Sequence, residues 1–303
     1  MKNETSSDMN SPVIEIRDLV HRYGRTEALH GLNLSVERGR CHGIFGRNGA
    51  GKTTAIKCLL NLLRPAAGTV RVFGLDPRRH EAAIKSRLAY VPDSVAFYPW
   101  MNVREALDYQ ASFRDRWNRD SQAALLGKFQ LDPQAPTTGL SKGQRTQLAL
   151  IGAICAEPDL LVLDEPTSGL DPLVRREFIQ TVIGAFQDAA PGERTVLVST
   201  HLISEFEGLI DRFTIVEQGR AVLTADADEA RTKFQRLLVR FEGEPPPSSE
   251  FVEAKSVRRE GRTLELIVNG EGDRLQERLQ SHHPASLSRE ALTLEEIFLA
   301  SVK

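Results

Sequence analysis

The chain has 303 residues, 39 basic against 41 acidic, with a formal charge of −2. That length suits one large domain with a small one beside it, and the near-neutral balance offers no basic footprint for nucleic acid. Hydrophobic residues make up 41% of the chain, yet no apolar run reaches the ~18–20 residues needed to cross a bilayer, so any membrane role must come through a partner.

The opening "MKNETSSDMN" is polar and lacks the apolar core of a signal peptide, which reads as a disordered tail over 1–11 of a cytoplasmic chain. "VIEIRDLV" (13–20) alternates apolar and polar residues, as a half-buried strand does, and "EALHGLNLSV" (27–36) does so less regularly. "CHGIF" (41–45) predicts a short buried strand, followed by a glycine-rich turn and a helical pattern in "KTTAIKCLLNLL" (52–63) that ends before Pro65 and Gly68. "GTVRVFG" (68–74) is a further strand. From about 98 to 150 the pattern is helical, clearest in "VREALDYQASF" and "SQAALLGKF". "DLLVLDEP" (159–166) and "RTVLVSTH" (194–201) are continuous apolar strands, suited to a parallel sheet covered on both faces. Strands alternating with helices predict an α/β core.

Composition changes near residue 240. The prolines of "EGEPPPSSE" (242–250) exclude a central strand or helix. Around them, "RLLVRFEG", "GRTLELIVNG", "GDRLQERLQ" and "TLEEIFLASVK" predict a small α+β accessory domain over 236–303. Its last segment opens with a capping box, Thr293 to Glu296. Leu294, Ile297, Phe298 and Val302 share an apolar face there, expected to pack on the small domain or against a second copy. Three cysteines, Cys41, Cys58 and Cys155, lie in apolar segments without metal-type spacing, so buried thiols are expected.

Two stretches carry phosphate chemistry. "GRNGAGKT" (46–53) fits G-x-x-x-x-G-K-[ST] between a predicted strand and helix, the context that pattern requires. Its glycines let backbone N–H groups curl around phosphates at a helix N-terminus. Lys52 can reach the β- and γ-phosphates, and the Thr53 hydroxyl can ligate Mg²⁺. The bland reading, a glycine-rich turn with a solvated lysine, does not account for the flanking strand and helix. "LLVLDEP" then delivers Asp164 and Glu165 at a strand end, where ligands gather in open α/β sheets. Asp164 is expected to hold Mg²⁺ through water and Glu165 to polarise the attacking water. His201 ends the next apolar strand. A lone histidine is more often a packed or surface residue, but at this strand tip it reads as a γ-phosphate contact. "LSKGQRTQ" (140–147) is a second set of phosphate fittings, and nothing nearby says whose phosphate it serves.

The ordered set "GRNGAGKTT", "LSKGQ", "LLVLDEPTSGLD" and "STH" resembles the ATP-binding subunits of ABC transporters across about 12–230, which implies a cassette over 12–235. The resemblance implies a P-loop NTPase cassette with a mostly parallel core sheet, an N-terminal antiparallel β part and a helical subdomain at about 97–145. It also implies that two cassettes, this chain's own homodimer or a pair with a paralogous cassette, stack head to tail over two ATP. Gly46, Arg47, Asn48, Gly49, Ala50, Gly51, Lys52, Thr53 and Thr54 then cradle the chain's own ATP, with Tyr23 stacked on adenine. Ser141, Gly143 and Gln144 serve the partner's ATP, and "TSGLD" (167–171) touches the partner. Glu165 and His201 are the implied catalytic pair, with Mg²⁺ held by Thr53, Asp164 and Asp93.

Two positions depart from the resembled pattern: Lys142 replaces a glycine and Asp93 a glutamine. Aspartate is one methylene shorter and charged, and still able to ligate a cation. "YVPDSVAFYPWMNVREAL" and "ALTLEEIFLASVK" are most similar to the ATPases of two-component exporters, whose integral membrane permease is a separate chain. That similarity implies a peripheral position on the inner face of the cell membrane. The aromatic residues around Phe97–Trp100, costly to expose, are candidates for the groove that receives the permease, with local packing the alternative. The competing readings are a soluble ABC-type ATPase, which would show two cassettes or a long coiled-coil insertion, and a regulatory ATP-binding protein with slow turnover.

Overall fold

The computed structural model describes residues 11–187, 194–270 and 272–302. All but Ser11 of the expected tail over 1–11 lies outside the described residues. The first half of the chain forms β1 (Ile14–Tyr23), β2 (Thr26–Val36), β3 (Cys41–Phe45), α1 (Lys52–Leu59), β4 (Ala67–Val72), α2 (Glu81–Lys85), β5 (Leu88–Val91), α3 (Val103–Ala111) and α4 (Arg119–Lys128). Then come α5 (Lys142–Cys155), β6 (Leu160–Asp164), α6 (Pro172–Gln187), β7 (Thr195–Thr200), α7 (Ile203–Phe206), β8 (Arg212–Glu217), β9 (Arg220–Asp226) and α8 (Ala227–Lys233). The final stretch holds β10 (Phe234–Arg240), β11 (Ser256–Glu260), β12 (Thr263–Asn269), α9 (Gly272–Ser281), β13 (Ser286–Ala291) and α10 (Leu294–Ser301).

The central sheet runs β5-β6-β7-β3-β8-β9 and is parallel except for the β8–β9 hairpin. Successive strand residues point to opposite faces, and here both faces are apolar. Ile44, Leu160, Val162 and Leu197 join a cluster with α1 and the antiparallel sheet β2-β1-β4. Phe45, Leu161, Leu163, Val196 and Val198 join a second cluster under α3, α5 and α6. Double burial explains why β6 and β7 read as unbroken apolar runs. The third sheet, β11-β12-β10-β13, is antiparallel and packs Leu237, Val239, Leu264 and Leu266 against Leu275 and Leu279 of α9 and against Phe251.

Two expectations are corrected. The helix expected over 52–63 ends at Leu59, because Asn61 takes the left-handed conformation at φ 59 and stops the ladder before Pro65. The closing helix α10 has the expected capping box, Thr293 with Glu296, but its apolar face is buried mainly in the cassette's core, with Leu292 and Ile267 of the small domain only at the margin of that cluster. Leu294, Ile297 and Phe298 are buried with Phe206, Leu209 and Ile210 in the cassette's own core. The Leu294 amide donates to Glu207 Oε1 at 3.0 Å, and Arg236 of β10 donates to Glu296 at 2.6 Å. Ile297 has no exposed surface, so Ile297→Ala should cost ~2–5 kcal/mol of stability, read as a lowered denaturant midpoint. An unchanged midpoint would mean α10 only rests on the cassette.

Candidate nucleotide site

The β3–α1 turn places the phosphate loop at the middle of the central sheet, with β7 and β6 beside β3 on the same edge. Their carboxyl ends bring residues 46–54, Asp164–Glu165 and Thr200–His201 together, as open α/β sheets do. Gly51, the N-cap of α1, has φ 107, and a Cβ there would lie 2.8 Å from Leu29 Cδ2 and 2.9 Å from the Ala28 carbonyl. Only glycine fits that approach. No side chain caps α1, so its first N–H groups stay available to a ligand.

Lys52 is almost fully buried, with 5% of its side chain exposed, and its ammonium donates to the carbonyls of Gly46 at 2.7 Å and Arg47 at 3.3 Å. The same ammonium lies 2.8 Å from Glu165 Oε1. That pair lacks hydrogen-bond alignment, and the buried Oε1 has no hydrogen-bond partner. A buried ion pair without an aligned hydrogen bond recovers little of its desolvation cost. It suits a site that takes up a ligand carrying its own polar atoms. The other oxygen, Oε2, accepts from the His201 ring at 2.7 Å and from the His201 amide at 3.3 Å. Glu165 also sits at φ 47, a strained conformation for a non-glycine residue.

Thr53 donates its hydroxyl to Asp164 Oδ1 at 3.1 Å, and Tyr90 of β5 approaches Asp164 Oδ2 at 3.5 Å. Burial raises the Asp164 carboxyl above its ordinary value, while the hydroxyls of Thr53 and Ser199 oppose the rise. A divalent cation beside it would restore the ionised form. The hydroxyl–carboxylate pair therefore fits a magnesium ion held with a phosphate oxygen. Tyr90 escaped the sequence reading. Burial and then the Asp164 charge push its hydroxyl up, with a smaller contribution from Asp93, so it stays a neutral donor. Asp93 itself is exposed and lies near enough for Tyr90 to feel its charge.

Ser141 caps α5 through a reciprocal box with Gln144: the Gln144 amide donates to Ser141 Oγ at 3.1 Å, and the Ser141 amide to Gln144 Oε1 at 3.0 Å. Gly143 lies against Val174, where a Cβ would meet Cγ1 at 3.2 Å. Among the described residues, no hydrogen bond joins 140–147 to the phosphate loop. The segment's side-chain links outward run from Lys142 to the Ser168 carbonyl at 2.6 Å and from Gln147 to Glu177 of α6 at 3.4 Å. Tyr23, at the end of β1, is 49% exposed and has the His21 ring edge-on at 4.7 Å. Near α3, Tyr98 stacks on Trp100 at 4.7 Å and meets Tyr109 edge-on at 5.6 Å, leaving Trp100 71% exposed.

A family model described as "ABC transporter" matches residues 29–168, and one described as "AAA domain, putative AbiEii toxin, Type IV TA system" matches 134–206. The chain is 35% identical to a daunorubicin resistance ATP-binding protein of Streptomyces coeruleorubidus, covering 74% of this chain and 72% of that protein. It is 34% identical to the Nod factor export ATP-binding protein I of Burkholderia orbicola (strain AU 1054), covering 71% of each. A solved structure described as the ATP-binding subunit of an ABC transporter aligns with TM-score 0.65 at 27% identity, covering 73% of this chain and 92% of that one. Fold, loop geometry and kinship agree: this chain belongs to the ATP-hydrolysing, ATP-binding subunits of ABC transporters.

Proposed function

We propose that this chain is the motor of an export system, closing head to tail with a second cassette over two ATP molecules and driving a separate membrane permease. The observation that carries the reading is the buried ion pair of Glu165 Oε1 with the Lys52 ammonium, 2.8 Å apart at the mouth of the phosphate loop. Such a pair is poised for a γ-phosphate to enter between cation and base. Lys52, Gly46 to Ala50, Gly51, Thr53 and Thr54 bind the phosphates, and Tyr23 offers its face to the adenine. Glu165 takes the proton of the attacking water, while His201, hydrogen-bonded to Oε2, orients the carboxylate and contacts the γ-phosphate. Thr53, Asp164 and Asp93 would hold Mg²⁺, which supplies charge neutralisation between the β- and γ-phosphates.

The partner assignments rest on separate observations. Ser141 and Gln144 bond each other at the start of α5, with no bond to their own phosphate loop among the described residues, which supports service to a partner's ATP. The partner is a second copy or a paralogous cassette. No described helix is long and apolar enough to cross a membrane, so membrane attachment falls to the permease, received by the aromatic face around Phe97, Tyr98 and Trp100. Export is supported by the names of the relatives, one conferring drug resistance and one exporting Nod factor. In this reading the chain divides into a cassette over 12–235 and an accessory domain over 236–303, whose last helix α10 packs mainly on the cassette.

Purification from detergent-solubilised membranes should recover the chain with one integral membrane protein and an ATP turnover that this protein stimulates. Recovery of an active chain with no membrane partner would sink the export reading. Asp93→Ala should lower turnover several-fold and raise the Mg²⁺ concentration for half-activity, whereas Asp93→Gln should keep most of the activity. Superimposable Mg²⁺ titrations of Asp93→Ala and the parent would reduce Asp93 to a structural residue.

A further inference from the structure

Lys142 is the first residue of α5 and stands where the resembled signature has a glycine. Its ammonium donates to the Ser168 carbonyl at 2.6 Å, across 26 residues of sequence. The neighbouring residue makes room: Gly169 has φ 70, and a Cβ there would sit 3.1 Å from Nζ. On its other side Ser168 donates its amide to the Glu165 carbonyl at 3.1 Å. The rest of the turn is fastened to the cassette. Thr167 Oγ1 donates to Glu205 at 2.8 Å, Arg175 donates to the Leu170 carbonyl at 3.1 Å, and Asp171 caps α6 by accepting from the Leu173 and Val174 amides, each at 3.1 Å. A short bonded path thus runs from Glu165 through Ser168 and Lys142 to Ser141.

We infer that Lys142 is a positioning residue that couples the chain's own hydrolytic carboxylate to the signature it presents to the other cassette. The inference rests on the head-to-tail reading above. Both ends of the path are chemically active in that reading: Glu165 acts on the chain's own ATP, and Ser141 on the partner's. Lys142 is exposed, so its bond adds little to stability. Its effect is geometric, since a shift of about 1 Å in a catalytic group can cost on the order of 10²-fold in rate. Without the ammonium the N-terminus of α5 and the 167–171 turn lose their direct tie, and what one site does no longer sets where the other signature stands.

The test compares Lys142→Met, which keeps the stem and loses the donors, with Lys142→Arg, which keeps a donor. Steady-state ATP turnover of the purified full chain is measured against ATP concentration. Lys142→Met should lower kcat about tenfold, equivalent to ~1.4 kcal/mol of barrier, and bring the Hill coefficient toward 1 with KM within about twofold. Lys142→Arg should retain more than half of kcat and the parent's Hill coefficient. A Met variant with the parent's kcat and Hill coefficient overturns the inference. So does a tenfold rise in KM at unchanged kcat, which would place the ammonium on the partner's phosphate. ATP-dependent dimer formation in a Glu165→Gln background separates the two levels: no dimer with Lys142 intact defeats the head-to-tail reading, while a normal dimer with unaltered Met kinetics defeats only the tether.

Discussion

Glu165→Gln should lower the rate of ATP hydrolysis by ~10²–10⁴-fold, the usual worth of a general base, while ATP binding survives. The amide has nearly the shape of the carboxylate but accepts no proton from water. It also removes a negative charge from within 2.8 Å of the Lys52 ammonium, leaving that cation free to face a phosphate. Lys52, Thr53 and the loop N–H groups are untouched. The variant is therefore expected to accumulate as an ATP-bound dimer, seen by sedimentation, with almost no phosphate released in a single turnover. Phosphate release at the parent rate would remove Glu165 from the role of base.

The second large effect is a rescue. A Lys52→Ala homodimer has two damaged sites, each missing the buried ammonium; a Ser141→Arg homodimer has two sites blocked from the other side. Losing a charge-assisted contact costs ~1.5–3 kcal/mol, and a bulky cation at the α5 N-terminus also clashes with the helix's partial positive charge. In a mixed dimer both lesions fall into one site and the other is whole. Mixing the variants in a Glu165→Gln background should restore ATP-dependent closure that neither parent shows. Proven heterodimers that close no better than either parent would mean Ser141 serves its own chain or no phosphate at all.

The strand–turn–helix around 46–54 and the strand-end positions of Asp164, Glu165 and His201 were legible in the sequence, because residue type and spacing there follow from the local backbone. The short strands β3, β6 and β7 were legible for a related reason: burial on both faces leaves an unbroken apolar run. What could not be read was pairing across distance. Tyr90 meets Asp164 across 74 residues, and nothing in "YVPD" marks that tyrosine as other than a strand residue. Lys142 showed itself as a departure, but its Ser168 partner depends on how α5 lies against the 167–171 turn. The stripe on α10 predicted burial but not that the cassette supplies most of its cover, because an apolar face states that it needs a cover without stating which one. Asn61 shows the same limit locally, since a left-handed stop is one of several conformations an asparagine can take.

That placement of α10 bears on how the chain is made. The cassette's last strand ends at Asp226, and the helix that closes its core begins at Leu294. At ~5–20 residues per second, a ribosome needs on the order of 3–14 s to travel between them. Throughout that interval Phe206, Leu209 and Ile210 lack the part of their cover that α10 supplies. The third sheet, built from neighbouring strands, can form while the older and larger cassette still waits. A nascent chain paused between residues 227 and 293 is thus a predicted client for a chaperone that binds apolar surface, and release of that client depends on eight residues of helix.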